Sequence, residues 1–149
     1  MKMKDKFIIK QDDREPKSLQ LLADRLELGI VFERCRLNEG DYVVGDVCIE
    51  RKTIDDFCLS IMDGRMKRQQ KKMRNFVYKF IIISGRISDR TTEIGENCIL
   101  GMISSLVVGG LNVICVDDDK QLVFLMKRLF ERHALRNKEN IKLEGGKEK

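Results

Sequence analysis

Short apolar runs alternate along the chain with stretches in which apolar residues recur every three or four positions. Lys6 to Gln11, with Phe7-Ile8-Ile9 at its centre, suits a buried strand. Pro16 opens a helix that carries Leu19, Leu22 and Leu26 on one face and stops at Gly29. Ile30 to Leu37 reads as extended. Tyr42-Val43-Val44 and Val47-Cys48-Ile49 flank Gly45-Asp46, a two-residue hairpin signal. The pattern then predicts a helix from near Thr53 to Asp63-Gly64 and a second, basic helix to about Asn75. Phe80 to Ile83 and Val113 to Val116 are two further buried strands, and Asn97 to Val108 and Gln121 to Leu135 are helices. This alternation predicts an α/β sandwich with a central mixed sheet, the hairpin antiparallel and the other pairs parallel.

The last two helices are apolar over more than the single stripe a core-facing helix needs. They are buried on two sides within the domain or they meet another subunit, and a dimer interface through Leu106, Leu122, Leu125, Met126 and Leu129 is the expectation.

The chain has 149 residues, which suits one domain, expected over residues 1–143, with a polar, disordered tail at 144–149. With 42% apolar and 36% charged residues it resembles neither a disordered nor a membrane protein. No apolar run approaches the roughly 20 residues of a membrane-spanning helix. The Met1 to Lys6 segment lacks the apolar core of a signal peptide. Five cysteines, none in a C-x-x-C spacing, read as reduced core thiols of an intracellular protein. A single His argues against His-rich zinc sites and the usual hydrolase triads, so catalysis would rest on carboxylates and lysine.

The net charge of +5 is uneven. Between Gly64 and Ser88 there are eight basic residues and no acid, and the rest of the chain is net negative. A one-sign run without Glu–Lys pairs marks a polyanion-binding surface more than a solvated helix face. Arg65, Lys67, Arg68, Gln69, Lys71 and Lys72 are its candidate contacts, with DNA backbone as the expected partner. An RNA-binding module is disfavoured because no aromatics interleave the run; Phe76 and Tyr78 come after it.

The hairpin register places the chemistry. With Gly45-Asp46 as the turn, Val44 faces Val47, Val43 faces Cys48, Tyr42 faces Ile49 and Asp41 faces Glu50. Two carboxylates so placed have Cβ atoms about 5 Å apart and repel. Lys52 shares the face of Glu50, and Arg51 points the other way. Paired hard oxygen donors beside a lysine suit Mg²⁺ or Mn²⁺ and phosphodiester hydrolysis, although a surface salt-bridge cluster has the same composition.

Gly40-Asp41, Glu50-Arg51-Lys52 and Asp56 match the G-D-x(n)-E-R-K-x-x-x-D signature, and the chain thereby resembles the XPF-type family of structure-specific DNA endonucleases. Asp12-Asp13-Arg14-Glu15 resembles that family's D-x-R-E element, and Asp63-Gly64-Arg65 with Gln69 resembles its D-G-R-x-x-x-Q segment. The resemblance implies a restriction-endonuclease-like α/β/α fold, Mg²⁺ or Mn²⁺, and branched DNA (forks, 3′ flaps, junctions) as substrate in repair or recombination. It implies Asp41 and Glu50 as metal ligands, Lys52 as catalytic lysine, Arg51 and Asp56 as catalytic motif residues, and Asp12 as a further active-site carboxylate; Arg51, whose side chain leaves the metal face, is expected to anchor a neighbouring acid such as Asp56. Asp56 also reads as part of a Thr53-x-x-Asp56 capping box. Arg14 and Glu15 read as an internal ion pair, Asp13 as solvent-facing, His133 as a packed or interface residue, and Asp117-Asp118-Asp119 as a helix cap. The family implies a homodimer or a heterodimer with a related subunit. It also contains inactive members, which makes a non-catalytic DNA-binding scaffold the alternative reading.

Overall fold

In the computed structural model, which describes residues 6–148 and the side chains of 6–137, the apolar runs form six strands. These are β1 (Phe7–Asp12), β2 (Ile30–Cys35), β3 (Tyr42–Val44), β4 (Val47–Thr53), β5 (Tyr78–Ser84) and β6 (Asn112–Val116). Helices α1 (Ser18–Arg25), α2 (Ile54–Met62), α3 (Arg65–Lys72), α4 (Glu96–Val108) and α5 (Asp119–Glu148) connect or follow them. The α5 backbone continues beyond the domain boundary expected at residue 143. Most of the Met1 to Lys6 segment, and Lys149, lie outside the described residues.

All six strands join one sheet in the order β2-β1-β3-β4-β5-β6. β1 and β2 are parallel, as are β4, β5 and β6, whereas β3 runs antiparallel to both its neighbours. The sequence pattern anticipates the hairpin but not the second antiparallel pairing, of β3 with β1.

Helices cover both faces. Leu19 and Ala23 of α1 and Leu122, Met126 and Phe130 of α5 pack with Ile9, Tyr42, Ile49 and Ile82 on one side. Phe57 of α2, Met66 of α3, and Ile99 and Leu106 of α4 pack with Cys48, Ile81 and Ile83 on the other. This three-layer arrangement corrects part of the expected dimer interface. Leu106, Leu122 and Met126 are buried inside the chain, and Leu125 and Leu129 are half-buried against the same core. α4 and α5 each turn one apolar face onto the sheet. Exposed apolar side chains remain on α4 (Leu100, Val107, Val108) and α5 (Phe124, Leu135). Two of the five thiols, Cys98 and Cys115, are exposed rather than in the core, and all five are free. No helix among the described residues is long and apolar enough to cross a membrane.

The local signals explain the junctions that matter for the site. Thr53 caps α2, its Oγ1 accepting from the Asp56 N–H at 3.0 Å. Gly64 turns α2 into α3 at φ +77°, which a side chain resists. Asp118 Oδ1 accepts from the Gln121 N–H at 2.9 Å at the start of α5, so the acidic run is a cap. Gly40 sits at φ +72°, and a Cβ there would lie 2.2 Å from Cys48 Sγ. Only glycine lets the chain enter β3 so close to β4, one residue before Asp41.

Candidate active site

The pairing Val44↔Val47, Val43↔Cys48 and Tyr42↔Ile49 follows the register that the turn predicts. The ladder stops there. The Asp41 N–H donates to the Ile49 carbonyl at 2.9 Å, so Asp41 does not continue the ladder opposite Glu50. The two acids still meet, lining one cavity with Asp12, Arg14, Glu15, Gly40, Gln69 and Lys72. Strand alternation explains why: Glu50 and Lys52 point to the face of Cys48, Asp41 to the face of Val43, and both faces belong to the α2–α3–α4 side.

Asp41 Oδ2 accepts the Arg51 backbone N–H at 2.8 Å, which fixes the carboxylate. Burial, then repulsion from Glu50 and Glu15, pushes its pKa up to about 8, against the opposing pull of Arg51. Burial also raises Glu50, although Lys52 and Asp41 act in the opposite direction. The two half-buried acids are thus unequal: Asp41 is held towards its neutral form by burial and by Glu50, whereas the hydrogen bond with Asp41 eases the ionisation of Glu50.

Lys52 is not the cation between them. It is 6% exposed, is ion-paired to neither acid, and its Nζ lies 3.2 Å from Ser60 Oγ on α2. Asp12 is engaged as well: its oxygens accept from the Arg14 backbone N–H, Arg14 Nε (2.7 Å), Arg14 Nη2 and the Leu37 N–H (3.0 Å). Burial opposes its ionisation, yet these bonds, led by Arg14, hold Asp12 below the usual carboxylate range. Arg14 therefore pairs with Asp12, and Glu15 pairs with Arg51 at 2.7 Å, instead of Arg14 and Glu15 pairing together. Arg51 leaves the Glu50 face and anchors Glu15; Asp56 is exposed at the first turn of α2. Asp13 is exposed and paired with Arg36. His133 packs edge-on to Tyr78 and pairs with Asp46 at the far end of the hairpin.

From the basic run, Gln69 and Lys72 reach the cavity, because positions three apart share a helix face. Lys71, Lys72 and Arg74 line an adjoining cleft with Glu39 and Asn75. Arg65 is paired with Asp63 at 2.6 Å, whereas Lys67, Arg68, Lys71 and Lys72 have no ion pair with a described residue. Sequence reasoning missed Glu15 as a cavity residue and missed Ser60 altogether; the D-x-R-E element was the available signal for the first.

Among the described residues no three metal-binding side chains converge. The donors that fit a divalent cation are the Asp41 and Glu50 carboxylates, whose mutual repulsion a cation would relieve. Hard cations that keep several waters need only one or two protein carboxylates.

The mixed-sheet α/β/α fold, with paired acids on one face beside a cationic helix, has the architecture of the XPF nuclease domain. Residues 11–129 match the ERCC4 domain, and the chain belongs to that family. It is 31% identical over 137 residues to the 3′-flap repair endonuclease Xpf of Saccharolobus solfataricus, covering 87% of this chain and 57% of that one. It is 28% identical to a Methanocaldococcus jannaschii protein provisionally named ATP-dependent RNA helicase MJ1505, over 91% of this chain and 17% of that one. XPF from Aeropyrum pernix superposes with a TM-score of 0.74 at 26% identity, over 83% of this chain and 59% of that one. Its complex with DNA superposes at 0.70 and 26% identity, over 84% and 65%. The chain thus spans less than two thirds of each of these relatives.

Proposed function

We propose that residues 1–143 form the nuclease domain of a divalent-metal-dependent, structure-specific DNA endonuclease that hydrolyses backbone phosphodiesters of forks, 3′ flaps or junctions in DNA repair or recombination. The observation that carries this reading is the half-buried Asp41–Glu50 pair, open to a cavity that Gln69 and Lys72 also line. The likeness to a Saccharolobus 3′-flap repair endonuclease and to an Aeropyrum XPF in complex with DNA supports the same substrate.

In this reading Asp41 and Glu50 hold Mg²⁺ or Mn²⁺, with the Arg51 carbonyl as a third donor. When bound, the ion supplies an ionisable water and offsets charge on the phosphorane. Arg51 holds Asp41 in orientation through its N–H, and Glu15 holds Arg51. Lys72 and Gln69 grip the scissile phosphate, while Lys67, Arg68 and Lys71, joined by Arg65 when it leaves Asp63, track the backbone on either side. Lys52 orients the attacking water or stabilises phosphate oxygens. Water adds its oxygen to phosphorus, the P–O bond to the leaving sugar breaks, and the proton passes to that alkoxide. Asp12, with its oxygens committed to Arg14 and Leu37, shapes the cavity wall, and Asp56 contributes by orienting α2. The protein would act inside the cell, on DNA. Two copies, or this chain and a related subunit, would pair through the exposed apolar residues Leu100, Val107, Val108 and Phe124, with Leu125 and Leu129 at the margin.

A non-catalytic scaffold subunit is the second reading, favoured by one observation: both oxygens of Asp12 are taken up by Arg14 and the Leu37 N–H. Cleavage of a labelled fork or 3′ flap with Mg²⁺, Mn²⁺ or EDTA, by wild type and Glu50→Gln, separates the two. Metal-dependent nicking near the branch that the variant lacks supports the enzyme. Binding without nicking supports the scaffold.

A further inference from the structure

Ser60 lies outside every motif, yet it is fully buried and is the hydrogen-bond partner of a buried lysine. Its Oγ is 2.8 Å from the Asp56 carbonyl one turn earlier on α2, and 3.2 Å from Lys52 Nζ. A serine hydroxyl has one proton. Within a helix that proton goes to the carbonyl four residues back. The direction of the chain is therefore fixed: the ammonium has no lone pair, so it donates, and the hydroxyl accepts from Lys52 while donating to Asp56. Thr53 sets the helix that makes this possible, since its cap on the Asp56 N–H anchors the first turn directly after β4. Lys52, Thr53, Asp56 and Ser60 form one continuous brace from strand to helix.

We infer that Ser60 is a positioning residue for Lys52, fixing where the ammonium sits on the face of β4 that it shares with Glu50 two residues earlier. The inference rests on the nuclease reading, because Lys52 has catalytic work only if the chain cuts DNA. A lysine side chain has four rotatable bonds, and an unbraced ammonium spreads over many rotamers. The brace removes that freedom without placing a second charge in the site. The Asp56 carbonyl keeps its backbone helix bond when the hydroxyl is deleted, so the buried group that Ser60→Ala deprives of its partner is the Lys52 ammonium.

Two measurements on the full chain test it. In cleavage of a labelled 3′-flap DNA with Mn²⁺, Ser60→Ala lowers kcat about ten- to a hundredfold with KM unchanged, and Ser60→Thr recovers most of the loss. In a Lys52→Ala background, Ser60→Ala costs nothing further, since the two act as one unit. Equal cleavage by wild type and Ser60→Ala, or the same proportional loss with and without Lys52, overturns the inference. The second arm needs no activity: the ¹⁵N-lysine side-chain resonance that disappears in Lys52→Ala shifts in Ser60→Ala and returns in Ser60→Thr. An unmoved resonance overturns the positioning role. A wild type that cuts no flap, fork or junction overturns the nuclease reading, and the resonance alone then decides whether Ser60 holds Lys52.

Discussion

Arg51 and Glu15 meet fork to fork, with Nε 2.7 Å from Oε1 and Nη2 3.3 Å from Oε2, and their side chains are only 15% and 10% exposed. A pair so far from water is weak evidence for stability as a pair, but its halves are costly to separate. Glu15→Ala strands the Arg51 guanidinium, and about 3 kcal/mol or more of folding stability is the expected loss, read as a lower midpoint in urea. Replacing both with apolar residues of similar volume should recover most of it. A Glu15→Ala midpoint equal to wild type would mean that Arg51 finds another acid.

Asp41 makes stability depend on pH in an unusual direction. Its folded pKa, pushed up to about 8, lies above the unfolded value of 3.8. The unfolded chain therefore releases this proton first, and the contribution is fully present below about pH 4 and lost as pH rises towards 8. Glu50 shifts in the same direction. In EDTA, Asp41→Asn should flatten the decline in denaturation midpoint across that window and exceed wild type at pH 8. A steeper decline in the variant would contradict the assignment.

Added metal should reverse the same penalty. At a hundredfold excess of Mn²⁺ over its dissociation constant, wild type gains about 2.7 kcal/mol. Asp41→Asn and Glu50→Gln should show no gain in thermal unfolding scans. A gain that survives both substitutions would move the metal elsewhere.

The basic helix is tested by salt. Replacing Lys67, Arg68 and Lys71 with Gln should weaken DNA binding irrespective of sequence. The log–log salt slope should flatten by about 0.9 for each phosphate that is no longer neutralised. Fluorescence anisotropy across a salt titration reads both effects, and an unchanged slope returns α3 to a solvated face.

The exposed apolar residues on α4 and α5 make the pairing of subunits testable. Val108, 89% exposed, can carry a charge without disturbing the core. Val108→Asp combined with Phe124→Asp should give a folded monomer by light scattering. An assembly of wild-type mass would place the contact elsewhere.

What the sequence discloses and what it hides follow from how local the causes are. The hairpin register depends on two turn residues, so simple pairing from Gly45-Asp46 reaches Tyr42 and Ile49 correctly. It fails one step later because Gly40 bends the chain and hands the Asp41 N–H to Ile49. Alternation places Lys52 on the correct face, but its partner is on a helix whose packing no local pattern encodes. The swapped pairs Arg14–Asp12 and Arg51–Glu15 are hidden for the same reason: composition shows two cations near two acids without saying which meet. Leu106, Leu122 and Met126 mislead because apolar excess does not distinguish a helix pressed on a sheet from one pressed on another chain.

β3 joins two sets of parallel strands that otherwise share no ladder. It touches β1 through two registered pairs, Lys10↔Val43 and Gln11↔Tyr42, against seven between β4 and β5. The cavity straddles that seam, with Asp12 on one side and Asp41 and Glu50 on the other. Partial opening of the protein would begin there, parting the acids while each half of the sheet stays folded. A ligand that bridged the cavity would then act as a clasp between the two halves of the sheet.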